Sequence, residues 1–463
     1  MSKIGTALRL AVFLVCIFIV ACAQEKSSNR VVSEKLVAKI DPSSLIPEFF
    51  KVSPDGRRVA YGVKVGYHLS VVVDGKMGKR YDDIGDPTFS PDSKRVAYGA
   101  QMGDKWCVVA DGKEGKQYDT IGQGSLIFSP DSKRVAYAAK VGDKWFVVVD
   151  GEEGKQYDGI LEGGLIFSPD SKRVAYGTIV GDKQFVVVDG KEEKRYDGIL
   201  EGTLIFSPDS KQVGYGAKVG DKNVVVVDGE EGRQYHVIGT LIFSPDSKRV
   251  AYRAGVSDKR FVVVDGKEEK QYDVTGEGTL IFSPDSRRVA YGAGVGDKQF
   301  VVVDGKEEKR YDGILEGSLI FSPDSRRLAY VAGEGKKRFV VVDGKEEKQC
   351  DGTLLGTSIF SPDSRRAAYG AKMGDKWCVV VDAKEEKRYD GILEGSLIFS
   401  PNSKRVAYAA GVGDRRFVVV DGEEGKQYDG MAKGGRIIFD SPDSLHYLAV
   451  KGNAIYLVEE GIE

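Results

Sequence analysis

FSPDSKRVAYAAKVGDKWFVVVDGEEGKQYDGILEGGLI, Phe128 to Ile166, is the stretch whose reading decides the fold, because it returns with small edits along most of the chain. Its Ser-Pro-Asp triplet begins at residues 53, 90, 129, 168, 207, 244, 283, 322, 361, 400 and 441, with Asn402 in the aspartate's place at the tenth. Successive starts lie 37, 39, 39, 39, 37, 39, 39, 39, 39 and 41 residues apart. A fixed period near 40 built from short strands is the signature of a propeller or a similar array.

Each unit reads as four strands. In the unit at Ser168, Leu165–Ser168 is the first, Pro169-Asp170-Ser171 the turn and Arg173–Tyr176 the second. Phe185–Val188 is the third, Asp189-Gly190 a hairpin turn, and Lys194–Asp197 the fourth. Gly198-Ile199-Leu200-Glu201-Gly202 then reads as the crossing to the next unit. No segment carries helical periodicity over a helical length. The unbroken Val-Val-Val of the third strand predicts a strand dry on both faces, which a single unit cannot provide for itself. Stacking of units is therefore required.

The final unit ends after its third strand, Ala454–Val458, and Val31–Ile40 stands where a fourth strand would precede the first complete unit. These features predict an all-β protein, a single β-propeller of about eleven four-stranded blades over 31–463. Residues 49–458 supply the repeats, and 31–40 close the last blade. The alternatives are ten blades or an open superhelical stack.

The repeats FSPDSKRVAYG (89–99), FSPDSRRVAYG (282–292) and VSPDGRRVAYG (52–62) resemble the TolB-type propeller repeat, itself related to WD-repeat blades. The resemblance implies a propeller and leaves activity open, since such repeats serve binding proteins and also accompany peptidase domains. The α/β N-terminal domain of TolB itself has no counterpart here.

The first residues read as an address. Lys3 and Arg9 precede an apolar run, Leu10–Val20, that ends in Ile19-Val20-Ala21-Cys22. The run is shorter than the ~20 residues of a membrane span and has the pattern of an export signal. Its last four residues resemble a bacterial lipobox, which implies a signal peptide over 1–21, lipidation of Cys22 and a flexible tether over 22–30. Ala23 after the cysteine implies the outer membrane, facing the periplasm.

Lys plus Arg (68) and Asp plus Glu (70) nearly cancel, which excludes a basic nucleic-acid surface. The three histidines occupy unrelated positions, so no histidine-built metal site is expected, and the Asp-x-Asp-x-Asp-Gly spacing of a calcium loop is missing. Cys107, Cys350 and Cys378 replace strand aromatics and show no disulfide pattern. A Gly-x-Ser-x-Gly nucleophile turn is absent, and the repeated Ser168 and Asp170 have no histidine to complete a triad. No catalytic residue and no cofactor is predicted.

The expected function is therefore a non-catalytic, lipid-anchored scaffold binding a protein in the cell envelope, with polysaccharide as a second ligand class. The candidate contact residues are Ile160, Leu161, Ile199, Leu200, Ile314, Leu315, Ile392 and Leu393, expected on the face shared with the VGDK turns. The rival is a propeller hydrolase or lyase acting on glycans or peptides, and a third reading is a spacer without a ligand.

Overall fold

The computed structural model describes residues 30–354 and 359–463. Cys22 and the segment before Arg30 lie outside the described residues. Among those described there is no helix; the chain forms eleven antiparallel sheets of four strand positions each.

In blade 4 the strands are Gly159–Phe167, Val174–Val180, Lys183–Val188 and Lys191–Glu192, hydrogen-bonded in that order. The third strand behaves as its sequence requires. Val186 and Val187 are both 0% exposed, and they enter different cores, Val187 toward blade 3 and Val186 toward blade 5. Its hairpin turns at Asp189 and Gly190, both at positive φ (51° and 80°), the two-residue geometry that matches strand twist.

The last blade is composite. Arg30–Lys39 pairs antiparallel with Ala454–Ile462, from Arg30 opposite Ile462 to Lys39 opposite Ala454. Leu448, Ile455 and Leu457 of this blade share a core with Val59, Tyr61 and Val72 of blade 1, while Tyr447, Ala449 and Val458 face blade 10. Eleven apolar cores join eleven blades, one between each consecutive pair and one between last and first. An open stack of eleven would have ten. The ring is closed.

The expected position of the Gly-Ile-Leu-Glu-Gly segment is corrected by the ladder. It is not a crossing. Gly198 and Ile199 pair with Lys218 and Ala217 of the second strand of blade 5, and Ile205 and Phe206 pair farther along with Gly214 and Val213. The first strand thus starts directly after the fourth strand of the preceding blade and bulges outward at its middle. Three residues more than the partner strand carries between the paired stretches strain a ladder least at a sheet edge, and the first strand is an edge in every blade.

The Ser-Pro-Asp turn is architectural. Ser168 Oγ donates to Asp170 Oδ1 (2.6 Å) and accepts from the Arg173 amide (2.9 Å). The serine hydroxyl, reinforced by the Lys172 amide, holds the Asp170 carboxyl below the usual carboxylate range. Cys107, Cys350 and Cys378 are buried, and burial pushes the Cys378 thiol up to about 11. Cys350 and Cys378 share the core between blades 8 and 9, where other junctions hold a tyrosine against a phenylalanine, as Tyr157 and Phe185 do.

Candidate functional site

Identical blades offer identical surfaces, so a site is sought where the repeat makes a concavity or departs from itself. Both occur on the first-strand edge. In blades 4 and 5 the bulge leucine folds back over a glycine of the second strand. A Cβ on Gly177 would stand 2.6 Å from Leu161 Cδ1, and one on Gly216 would stand 2.7 Å from Leu200 Cδ1. Only glycine fits beneath. In blade 10 the residue below is Ala409, and Leu393 is 43% exposed.

Neighbouring bulges leave clefts between them. One of about 250 Å³ is lined by Leu161, Glu162, Ile199, Leu200 and Glu201. Another of about 220 Å³ is lined by Gln123, Ile160, Leu161 and Glu162. A third, about 400 Å³, lies between Leu315, Val331, Leu354 and Phe360 of blades 8 and 9. The third is mainly apolar, whereas the first two expose polar and apolar surface about equally. In the first two an exposed carboxylate, Glu162 or Glu201, stands at the rim.

The predicted contact residues divide accordingly. Ile314 and Ile392 are buried in the cores between blades, and Ile160 and Ile199 pack partly against such cores. Leu161 and Leu200 line clefts on both sides or one side of their bulge, Leu315 lines the widest, and Leu393 projects from its edge. The alternation of a strand explains the split: successive side chains point to opposite faces. Ile314 and Ile392 are withdrawn into the cores, while Ile160 and Ile199 reach the cleft walls beside the leucines.

Arg253 was missed by the sequence reading. It takes the second-strand glycine position in blade 6, the blade whose first strand, Val237–Phe243, lacks the two-residue Leu-Glu excess. Its guanidinium occupies the space a bulge would fill, over Gly239. Nε donates to Thr275 Oγ1 (3.2 Å) and Nη2 lies 3.7 Å from Glu277. Burial lowers its pKa, against the pull of Glu277 and Glu316. The 37-residue interval before Ser244 was a partial signal only, since the equal interval before Ser90 keeps Gly99 at the same position.

The second departure is the closing seam. Arg57 of blade 1 pairs with Asp440 (2.8 Å) and Glu459 (2.6 Å) of blade 11. His446, 1% exposed, places Nδ1 2.8 Å from Asp440 Oδ2 and donates from Nε2 to the Asp55 carbonyl at 2.7 Å. Burial works against ionisation of Asp440, but His446 and Arg57 together hold its pKa below the usual range. A groove of about 450 Å³ runs past Arg57, Asp440, Ser444 and Glu459. The groups resemble a catalytic set in composition only. Both ring nitrogens of His446 are engaged, and Ser441 and Ser444 hydrogen-bond to each other (2.7 Å) instead of to the ring. The cluster latches the ring shut.

Among the described residues no group of three or more His, Cys, Asp or Glu is placed to hold a metal ion. A carboxyl with a raised pKa does occur at Glu386, where burial outweighs the hydrogen bond from Tyr408. It sits on the fourth strand of blade 9, Lys384–Tyr389, at the far edge of the sheet from the clefts.

No protein-family profile matches the chain, and no curated protein sequence does. Among solved structures it is similar to a eukaryotic initiation factor at 14% identity and a TM-score of 0.40, over 72% of this chain and 96% of that one. It is similar to the Dos1 propeller at 13% identity and a TM-score of 0.32, over 64% and 91%. To TolB from Acinetobacter baumannii the values are 14% and 0.25, over 61% and 79%. Likeness at this level assigns no residue a role, and the propeller architecture rests on the sheet order and the closed set of interblade cores.

Proposed function

We propose that the protein is a non-catalytic scaffold that binds a protein partner along the first-strand edge of the propeller, anchored in the bacterial envelope through lipid on Cys22. The observation that supports it is the repetition of one cleft type, a bulge leucine beside an exposed glutamate, between successive blades. Each cleft is small, so several weak contacts must act together. A rigid ring supplies that by fixing their spacing, which turns later contacts into intramolecular ones. The partner that fits presents apolar side chains flanked by lysine or arginine.

The test is affinity capture from the native envelope with the intact chain, compared with Leu161→Ser, Leu200→Ser, Leu315→Ser combined. A specific envelope protein held by the intact chain and lost from the triple variant supports the reading. Capture that is equal for both chains overturns the edge as the contact surface. Release of the protein from membranes by Cys22→Ala tests the anchor separately, and unchanged membrane retention would refute it.

A further inference from the structure

The two ends of the ring differ in charge. At the end formed by the Ser-Pro-Asp and Asp-Gly turns, blade 2 places Lys94, Arg95 and Lys113 against Asp92 and Asp111. The same positions give a positive balance in seven of the eleven blades. The acids at this end are held down: Asp92 Oδ1 takes the Ser90 hydroxyl and the Lys94 amide, and Asp111 takes Arg95 and the Val96 amide. The lysines stand proud. Lys94, Lys133 and Lys172 are each 82% exposed, no closer than 3.6 Å to the aspartate of their own turn. A Lys or Arg occupies this position in nine consecutive turns, from Lys94 to Lys404, and all nine are exposed. The other end has the opposite balance: blade 4, positive at the first end, here sets Asp182 and Asp197 against the single Lys183.

The chain enters the ring at the basic end. Arg30, the first residue of the closing strand, lies opposite Ile462, and its guanidinium reaches the Val420 and Glu423 carbonyls beside the Asp-Gly turn of blade 10. Lys39, at the other end of that strand, pairs near the Gly452 turn. Eight peptide units separate Cys22 from Arg30, a reach of at most roughly 28 Å.

We propose that the Ser-Pro-Asp end of the propeller is a membrane-facing surface that docks flat on anionic lipid headgroups through this ring of exposed lysines and arginines. Basic side chains close to an anionic bilayer are attracted to it within a Debye length, and a ring distributes them over a plane. Docking would turn the acidic end away from the lipid. The inference takes the orientation from the lipid anchor of the proposed function, while the charge asymmetry stands without it.

The test uses the full chain carrying Cys22→Ala, so that no acyl chain contributes, offered vesicles of phosphatidylglycerol and phosphatidylcholine (about 3:7) or of phosphatidylcholine alone. Binding to the anionic vesicles that falls as salt rises is expected. The set Lys94→Glu, Lys133→Glu, Lys172→Glu, Lys248→Glu should weaken it at least ~ten-fold. The set Lys105→Glu, Lys144→Glu, Lys183→Glu, Lys298→Glu, which changes net charge equally at the other end, should leave it unchanged. Equal loss from both sets, no loss from the first, or equal binding to phosphatidylcholine alone overturns the proposal. Membrane retention of the native chain reads only the lipid, so failure of the anchor and failure of the surface are told apart.

Discussion

Nη1 of Arg173 in blade 4 donates to the main-chain carbonyl of Ser210 in blade 5 across 3.1 Å, and to that of Lys211 across 2.6 Å. The same guanidinium pairs through Nε with Asp189 of its own hairpin turn (2.8 Å) and lies over the Phe206 ring (5.3 Å). In the same direction, the Asp170 amide donates to the Ser210 hydroxyl at 2.8 Å. The Ser-Pro-Asp-Ser-Lys-Arg turn is thus a clasp that each blade places on the next, and it supplies polar register to an interface whose apolar part is non-directional. Arg173→Gln should destabilise the protein by about 1–2 kcal/mol, the range of a charge-assisted hydrogen bond with part of its stacking. A lowered urea midpoint checks it.

Blade 5 tests the converse. Gln212 stands where the other clasps have arginine, so Asp228 has no guanidinium beside it and the Ser247 and Lys248 carbonyls no arginine donor from that blade. Gln212→Arg should restore the clasp across blades 5 and 6 and stabilise the protein by about 1 kcal/mol. A urea midpoint unchanged or lowered would show that the clasp is worth nothing net at this junction.

Much of this was legible in the sequence, for reasons that also set the limit. Period, strand order and the dry third strand are written within one unit, and the Val-Val-Val run could belong to nothing half-wet. Completion of the last blade by the N-terminal strand was legible because a unit missing its fourth strand leaves an unpaired edge. The bulge was not. Gly198-Ile199 is a two-residue strand piece, shorter than any alternation can reveal, and its flanking glycines imitate a turn. The glycines beneath Leu161 and Leu200, the partner of Arg173 and the meeting of His446 with Arg57 all depend on residues in another strand or another blade. Within-unit patterns do not encode them.

At Ala383 the backbone φ is 64°, the left-handed conformation that glycine adopts in the equivalent turns, such as Gly190 at 80°. Alanine there pays a steric cost of about 1–2 kcal/mol, partly offset because glycine would loosen the unfolded chain. Ala383→Gly should therefore stabilise by about 0.5–1 kcal/mol. Chemical denaturation reads the sign, and a destabilised variant would remove the strain argument.

Glu386 supplies a pH dependence with a definite sign. Tyr408 donates to its carboxylate at 2.7 Å, yet burial raises the carboxyl above its ordinary value of 4.5. The folded protein therefore holds this proton to higher pH than the unfolded chain does. From Glu386 alone, stability is greatest below the unfolded value, falls as pH rises toward the folded value, and stays at the lower level above it. Glu386→Gln keeps an acceptor for Tyr408 and has no proton to lose. Its stability relative to the parent should rise between pH 4 and pH 7, and a difference that is flat across that range would refute the assignment.

The closing strand makes the last and largest prediction. Glu460 is 1% exposed, accepts from the Tyr447 hydroxyl at 2.5 Å and pairs with Arg30 at 3.1 Å. Arg30 in turn donates to the Val418 carbonyl of blade 10, so one side chain ties the N-terminal strand to two blades. Removing one partner of a buried pair leaves a desolvated charge without compensation, which costs about 3–5 kcal/mol. Arg30→Ala should lose about that much, and pairing it with Glu460→Gln should recover most of the loss, because the orphaned charge is then gone. If the double variant is as unstable as the single one, the strand's pairing and packing hold the ring closed, and the ion pair only accompanies them.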